Sequence, residues 1–377
     1  MLLALLVCGV TALLVSAAFG RAVIASGLWD TPDHLRKAHK TPTPTSGGLG
    51  IGAGFALAVA MAATPWLRDW AAALEQDAIL RAGLAAMAAF AALAIGLVDD
   101  LKPLGPRVKF GMLCGMAMAF AAFVAHADTL PLAADVVLNV GYIVGVIGSA
   151  LFIFTLVNAT NFVDGANGLA MGSTAISLFG LAAISLANGA PHAAILAIAG
   201  AGAMVGFLIW NFPSGRLFAG DTGSLFAGCL GACASLLAVQ DGGVSPFIPA
   251  ILFFPTLADV LLTLAWRLSQ GRNLLMAHRD HLYQIGLRAG LSHVQVTLIF
   301  WATTAHCVLV AFAASFGPRI TLAGAPDGDA NMAMLFRAAG LLASMAPVLA
   351  LVVLALVAVK VSNVMRRYAA ARGLDSK

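Results

Sequence analysis

Charged side chains are what this sequence has least of. Asp, Glu, Lys and Arg make up only 10 % of its 377 residues, against 61 % hydrophobic ones, and the mean hydropathy is +0.94. A water-soluble domain carries about 25 % charged residues, so that class is excluded and lipid becomes the solvent to reason with. No polar stretch outside the apolar runs is long enough to fold alone, so residues 1–377 read as a single polytopic membrane domain. Cysteine is also sparse. Cys8, Cys114, Cys229, Cys233 and Cys307 all fall inside apolar runs, where neither a disulfide framework nor a zinc site is expected. Cys229 and Cys233 share a helical face at i, i+4 and read as small packed apolar residues. No basic residue precedes the first apolar core, whereas Arg21 follows it, which is the charge pattern of an anchor and not of a signal peptide. Internal repeats and low-complexity linkers are absent, so an inverted-repeat transporter gains no support. The net charge of +4 is spread over short loops and forms no patch for nucleic acid.

What is present is a series of long apolar runs. Roughly 17–25 apolar residues cross the hydrocarbon core as helix, and about eleven runs qualify: 1–20, 48–64, 79–98, 108–125, 136–157, 168–188, 193–210, 222–239, 246–266, 294–316 and 336–360. Their continuity predicts an all-α integral membrane protein, because a barrel would show short alternating segments. With the amino terminus outside, the odd-numbered connections collect Arg21, Arg36, Lys37, Lys40, Lys102, Arg107, Lys109, Arg216, Arg267, Arg272, Arg279 and Arg288, and the tail adds Lys360, Arg366, Arg367, Arg372 and Lys377. Only Arg68, Arg81, Arg319 and Arg337 fall on the other side. The bias predicts a cytoplasmic carboxyl terminus and cytoplasmic loops at about 21–47, 99–109, 158–168, 211–224 and 267–293.

Polar residues gather in those same loops. The first ends Lys37-Ala-His-Lys-Thr-Pro-Thr-Pro-Thr-Ser-Gly-Gly48, in which Gly47 and Gly48 allow a backbone to approach a ligand closely. The third run ends on Asp99-Asp100, two carboxylates at a helix carboxyl terminus where the macrodipole disfavours them. Lys102, Arg107 and Lys109, or a divalent cation with bound phosphates, would offset that placement. After the fifth run, Asn158-Ala-Thr-Asn-Phe-Val-Asp-Gly-Ala-Asn-Gly-Leu169 crowds three amides and a carboxylate at one helix mouth, more than capping needs. Phe218-Ala-Gly-Asp-Thr-Gly-Ser224 is a Gly-rich turn opening a helix, a site suited to an anion, with Asp221 as a hard oxygen ligand. His278-Arg-Asp-His-Leu-Tyr-Gln284 has two histidines three apart, and Arg279 between them favours phosphate over zinc.

These motifs, in this order over residues 39 to 284, resemble the polyprenyl-phosphate N-acetylhexosamine-1-phosphate transferases. The eleven-helix, outside-to-inside topology looks like the O-antigen and teichoic-acid branches, and the His-Arg-Asp-His-Leu-Tyr-Gln form is similar to the enzymes that initiate O-antigen chains with GlcNAc or an amino-deoxy sugar such as FucNAc or QuiNAc. The resemblance implies a phosphoglycosyltransferase of the bacterial inner membrane that moves N-acetylhexosamine 1-phosphate from a UDP-sugar to undecaprenyl phosphate and releases UMP. Its implied cofactor is Mg²⁺, with Mn²⁺ as substitute, held chiefly by Asp221 with Asn161. Asp99 and Asp100 would lie beside the lipid phosphate, with Asp99 as base or an aspartate as covalent nucleophile. Phe218 would stack on uracil and Asn167 bond its edge. His278, Arg279 and His281 would line the sugar-phosphate end. Asp164 joins the catalytic set, and Asn158, Lys109 and Lys40 the substrate-binding set. Where many relatives carry Asp and Arg, this chain has Asn167 and Thr45. The partners implied are the UDP-N-acetylhexosamine, the polyprenyl phosphate, the bilayer and, as an option, a second copy of the chain, with no nucleic acid. The competing class is a transporter, resting on Asp259 inside the ninth run.

Overall fold

In the computed structural model, which describes residues 1–26, 44–64, 67, 76–133, 136–274, 276, 278–323 and 339–374, the apolar runs are helices. Their order is α1 (Leu2–Ser26), α2 (Gly47–Ala62), α3 (Gln76–Leu101), α4 (Pro106–Phe123), α5 (Gly141–Val163), α6 (Leu169–Ala187), α7 (Pro191–Asn211), α8 (Gly220–Gly242), α9 (Phe247–Leu252), α10 (Phe254–Ser269), α11 (Leu282–Arg288), α12 (His293–Ala323) and α13 (Ala346–Ala371). Eight of the described helices are long and apolar enough to span a bilayer: α1, α3, α5, α6, α7, α8, α12 and α13. Helix α2 is apolar but has only 16 residues.

Packing follows a rule suited to lipid. Water gives no reason to hide leucine here, so close contact is made by small residues and bulk faces outward. Helix α1 shows the division: Ala4, Cys8, Ala12, Ser16 and Gly20 recur every four residues and are buried, while Leu2, Leu6, Val10 and Leu14 recur with the same spacing and are exposed. The buried stripe lies against α2 and α7. Helix α8 is the hub, buried along almost its whole length and packed by α2, α3, α5, α6 and α7. Phe226 of α8 meets Phe55 of α2 and Phe90 of α3 at centroid distances of 5.3 and 5.6 Å. Cys229 and Cys233 sit in this helix with their sulfurs 3.8 Å apart.

Two predicted runs differ from the helices found. The fifth was expected from residue 136, but Val136–Asn139 is a strand, β2, paired antiparallel with β1 (Thr129–Ala133), and the helix begins at Gly141. Val136-Val-Leu suits a strand as well as an apolar helix start, and the Asn139 side chain accepts the Gly141 N–H at 2.9 Å to turn the chain into α5. The ninth run is not one helix but two, α9 and α10, divided at Phe253. Pro255 lacks an N–H and its ring would clash with the carbonyl of Ile251 in a continuous helix. At the carboxyl end, α13 carries on past Lys360 through the basic residues, bringing Arg366 into the bundle.

The two ends of the bundle are chemically distinct. At one, Arg81 of α3 donates to Asp241 of α8 at 2.6 Å and His192 of α7 lies 2.8 Å from the same carboxylate. At the other lie the carboxyl ends of α3, α5, α7 and α10 and the amino ends of α2, α4 and α8.

Candidate active site

The site starts with the contact between α3 and α8. A Cβ on Gly96 would fall on the carbonyl of Asp221 and lie 2.6 Å from Thr222 N, so only glycine lets the two backbones meet. Asp99 and Asp100, one turn on, are thereby set against the first turn of α8. Asp100 accepts from Asp221 N and Thr222 N, both at 2.9 Å, and from Thr222 Oγ1 at 2.6 Å. It is an N-cap supplied from another helix, and the positive end of the α8 dipole offsets a carboxylate misplaced at the end of its own helix. Asp99 turns the other way and accepts the Leu104 N–H at 2.5 Å, which fixes the turn into α4. Pro106 opens α4 and places Lys109 inward, where its ammonium bonds Asp99 at 3.1 Å and pairs with Asp221. Of the three cations expected to neutralise the Asp pair, Lys109 does so, whereas Lys102 and Arg107 are exposed.

The carboxyl end of α5 closes the cluster. Asn161 donates to Asp221 Oδ1 at 2.8 Å and to Ser224 Oγ at 2.9 Å. Asp164 ends the helix as its C-cap, its backbone N–H donating to Asn161 O at 3.3 Å and its half-buried carboxyl without a hydrogen-bond partner among the described residues. Burial, then the nearby Asp221 and Asp100 carboxylates, push its pKa up to about 7. Asn158 is not in the cluster: its Nδ2 bonds the Phe154 carbonyl of its own helix at 2.8 Å. Four carboxyls, Asp99, Asp100, Asp164 and Asp221, thus share one ammonium among the described residues. The donors are hard oxygens with excess negative charge, which suits Mg²⁺. No three His, Cys, Asp or Glu side chains among the described residues converge as a ready-made ligand set, and Lys109 spans Asp99 and Asp221.

The loop before α8 is fastened to the amino end of α2. Phe218 N donates to Pro44 O at 2.9 Å, Gly47 N to Phe218 O at 3.0 Å, and Gly48 N to Ala219 O at 3.1 Å. Gly47 and Gly48 were expected to admit a ligand to the backbone. Instead they admit another helix, since a Cβ on Gly48 would fall on Gly223 N. Asn167 reaches the same loop, donating to Pro213 O at 3.0 Å. Asn211, which sequence reasoning missed, anchors both sides by accepting from Gly168 N at 2.6 Å and donating to Leu217 O at 2.8 Å. Nothing in Asn211-Phe-Pro announces that role. Lys40 lies outside the described residues.

The 278–284 segment folds onto the other side of Asn161–Gly165. Tyr283 Oη donates to Phe162 O at 3.2 Å, and the rings of His281 and Phe162 are 6.0 Å apart. The two histidines, three apart, do not share a helical turn, because α11 begins only at Leu282. Their rings stack at 5.0 Å. Burial, then His281 and Arg267, push the His278 pKa down to about 4, so its ring is neutral near pH 7. Arg279 is exposed, its guanidinium without a partner among the described residues. Asp280 is buried and paired with Arg267, and its carbonyl accepts from Arg366 Nη1 at 3.2 Å. Arg366 also lies 4.3 Å over the Trp266 ring, so the last helix braces this loop. Next to Tyr283 is an apolar cavity of about 500 Å³ between α10, α11, α12 and α13, with Leu262, Phe300 and Val357 in its wall.

The fold and site define a class: an all-α integral membrane protein whose polar chemistry is concentrated where α3, α4, α5 and α8 meet at one end. The chain belongs to glycosyl transferase family 4, whose family model matches residues 82–239, from α3 to near the end of α8. A decaprenyl-phosphate N-acetylglucosaminephosphotransferase of Mycobacterium tuberculosis (strain ATCC 25618 / H37Rv) is 31 % identical over 262 residues, 61 % of this chain and 63 % of that protein. A probable undecaprenyl-phosphate N-acetylglucosaminyl 1-phosphate transferase of Bacillus subtilis (strain 168) is 28 % identical over 217 residues, 56 % of this chain and 60 % of the relative. A phospho-N-acetylmuramoyl-pentapeptide-transferase of Moorella thermoacetica (strain ATCC 39073 / JCM 9320) is 33 % identical over 225 residues, 55 % of this chain and 68 % of the relative. The chain therefore spans about three fifths of the first two and about two thirds of the third.

Proposed function

We propose that the chain transfers N-acetylhexosamine 1-phosphate from a UDP-sugar to undecaprenyl phosphate on the cytoplasmic face of a bacterial inner membrane, initiating a cell-envelope glycan. The observation that carries this reading is the joining of Asp99, Lys109, Asn161, Asp164 and Asp221 at one end of a lipid-embedded bundle. In this transfer an oxygen of the lipid phosphate bonds to the β-phosphorus of the nucleotide sugar, and the bond from that phosphorus to the oxygen bridging it to the UMP phosphate breaks. The protein needs chiefly to position the groups and balance spreading negative charge. Lys109 supplies fixed positive charge, and Asp221, Asp99 and the Asn161 amide oxygen would hold Mg²⁺, which when bound supplies charge neutralisation at the phosphates. Between the candidate proton acceptors, Asp99 has both oxygens hydrogen-bonded, whereas Asp164 is unpartnered with a pKa near neutrality. That favours Asp164. Asn167 and Phe218, on joined loops, suit the base of the nucleotide, and the exposed Arg279 with His281 suits the sugar-phosphate end. The apolar cavity suits the first isoprene units of the acceptor.

The transporter reading rests on Asp259, and that carboxylate accepts the Leu282 N–H at the start of α11 beside the apolar cavity, which lends a crossing path no support. Purified protein given undecaprenyl phosphate and a panel of UDP-sugars tests the proposal. UMP should be released with a UDP-N-acetylhexosamine and not with UDP-glucose. Equal rates for both would remove the substrate claim, and no UMP with any donor would remove the reaction.

A further inference from the structure

Asp259 is a buried carboxylate on α10, outside the segment that the family model covers, and 2 % exposed. Its Oδ1 accepts the Leu282 N–H at 2.5 Å, capping the first turn of α11. Its Oδ2 is buried with no hydrogen-bond partner, and so is Nδ1 of His281, a residue 4 % exposed. These two orphans face each other at 3.5 Å. A buried polar atom left unsatisfied is costly, and one arrangement satisfies both: a proton on Nδ1 donated to Oδ2. The separation is at the outer limit of a hydrogen bond, as catalytic contacts often are before substrate tightens them.

We propose that Asp259 is a positioning residue that holds His281 with its proton on Nδ1, leaving Nε2 as the atom that meets substrate. The ring is already confined by His278 stacked at 5.0 Å and by Phe162 and Tyr283 at 6.0 Å, so what the carboxylate adds is the choice of tautomer. Gln284, at the third position of α11, accepts from His281 N at 3.2 Å and turns its own backbone N–H toward the His281 side chain as in a capping box, yet Nδ1 completes no hydrogen bond there. Nε2 lies on the far side of the ring from the carboxylate and is not among the buried atoms left without a partner. A helix cap alone would account for Oδ1 but not for the second oxygen aimed at the imidazole.

The inference rests on the proposed sugar-phosphate role of His281 for its consequence in activity, but not for its structural content. Asp259→Asn separates the two. The amide oxygen can still accept from Leu282 N–H, while the amide NH₂ now faces Nδ1 and forces the ring to accept there, moving the proton to Nε2. In ¹⁵N-histidine-labelled protein, the parent should show His281, assigned by its loss in His281→Ala, protonated at Nδ1. Asp259→Asn should show it protonated at Nε2. UMP release by Asp259→Asn should fall on the order of 100-fold, the lower part of the range for a positioned acid–base group. The same substitution in a His281→Ala background should cost almost nothing further. A parent ring protonated at Nε2 alone would overturn the proposal whatever the variants do, as would additive losses or an Asp259→Asn enzyme of parental rate. If the parent releases no UMP, the functional reading fails while the tautomer measurement still decides this one.

Discussion

Asp100 of α3 caps helix α8 at Asp221: its two oxygens take the N–H groups of Asp221 and Thr222 at 2.9 Å each. The two aspartates thus divide the work, one fixing a backbone and the other presenting a side chain to the site.

Replacing them should therefore have different signatures. Asp221→Asn retains size and leaves the Asp100 cap intact, so thermal stability in detergent should stay near the parent while UMP release falls ~100-fold or more. Asp100→Ala removes an N-cap contribution of about 1–2 kcal/mol and frees the first turn of α8, so stability and activity should fall together. Stability scans alongside UMP release across a Mg²⁺ titration would check this. Near-parental activity of Asp221→Asn at ordinary Mg²⁺ would refute its assignment.

Gly96 offers a test that touches no functional group. Alanine is the better helix former by about 1 kcal/mol, so propensity alone would stabilise Gly96→Ala. The added Cβ, however, falls on backbone atoms of Asp221 and Thr222, which cannot rotate away. Overpacking of this kind costs about 1–3 kcal/mol and should push α3 from α8, drawing Asp99 and Asp100 off their partners. Gly83 of the same helix has nothing within 4 Å of such a Cβ, so Gly83→Ala is the control and should be neutral or stabilising. If both variants melt alike, the contact does not limit the site.

The bundle and the acidic cluster were largely legible in the sequence, because run length and one-sided polarity are local signals. Asp99, Asn161 and Asp221 stand at helix ends that any reading of the apolar runs would locate, and the bundle brings them together. What was not legible depends on partners distant in the chain. Asp100 reads as a twin of Asp99 until α8 is seen beneath it. Asp259 reads as a lone intramembrane charge until Leu282 and His281 are found against it. Arg366 reads as part of a basic tail, although helix α13 carries it to the Asp280 carbonyl. Val136–Asn139 failed for a different reason: a short apolar run fits helix and strand alike, and pairing with Thr129–Ala133 decided it.

Two loop residues give opposite pH effects on stability. Near pH 7 His278 is neutral in the fold, and its pKa of about 4 lies below the usual 6.5. Its contribution is complete above 6.5 and is lost as pH falls from there to about 4, because the unfolded chain binds the proton first. Asp164 is the reverse: its pKa of about 7 lies above the usual 3.8, so stability from this group falls as pH rises from 3.8 to 7. Unfolding midpoints measured from pH 4 to 7.5 should show less acid destabilisation in His278→Gln than in the parent, and more in Asp164→Asn. Parallel curves for all three proteins would show that neither group is shifted.

Lys109 is the cation that links Asp99 to Asp221, and its removal should expose the demand that it meets. Lys109→Met keeps the length and apolar stem of the side chain but leaves two adjacent, partly buried carboxylates uncompensated, which is destabilising even after solvent screening. Without divalent cations the variant should melt below the parent. Mg²⁺ should then raise its melting temperature by more than it raises the parent's, since the added ion supplies charge that the parent already has. Na⁺ at matched ionic strength should not do so. UMP release should stay low even at high Mg²⁺, because an ion that restores the charge does not restore a donor fixed on α4. Equal Mg²⁺ shifts in parent and variant would mean that the ion binds away from these carboxylates, and the metal assignment of Asp221 and Asp99 would be withdrawn.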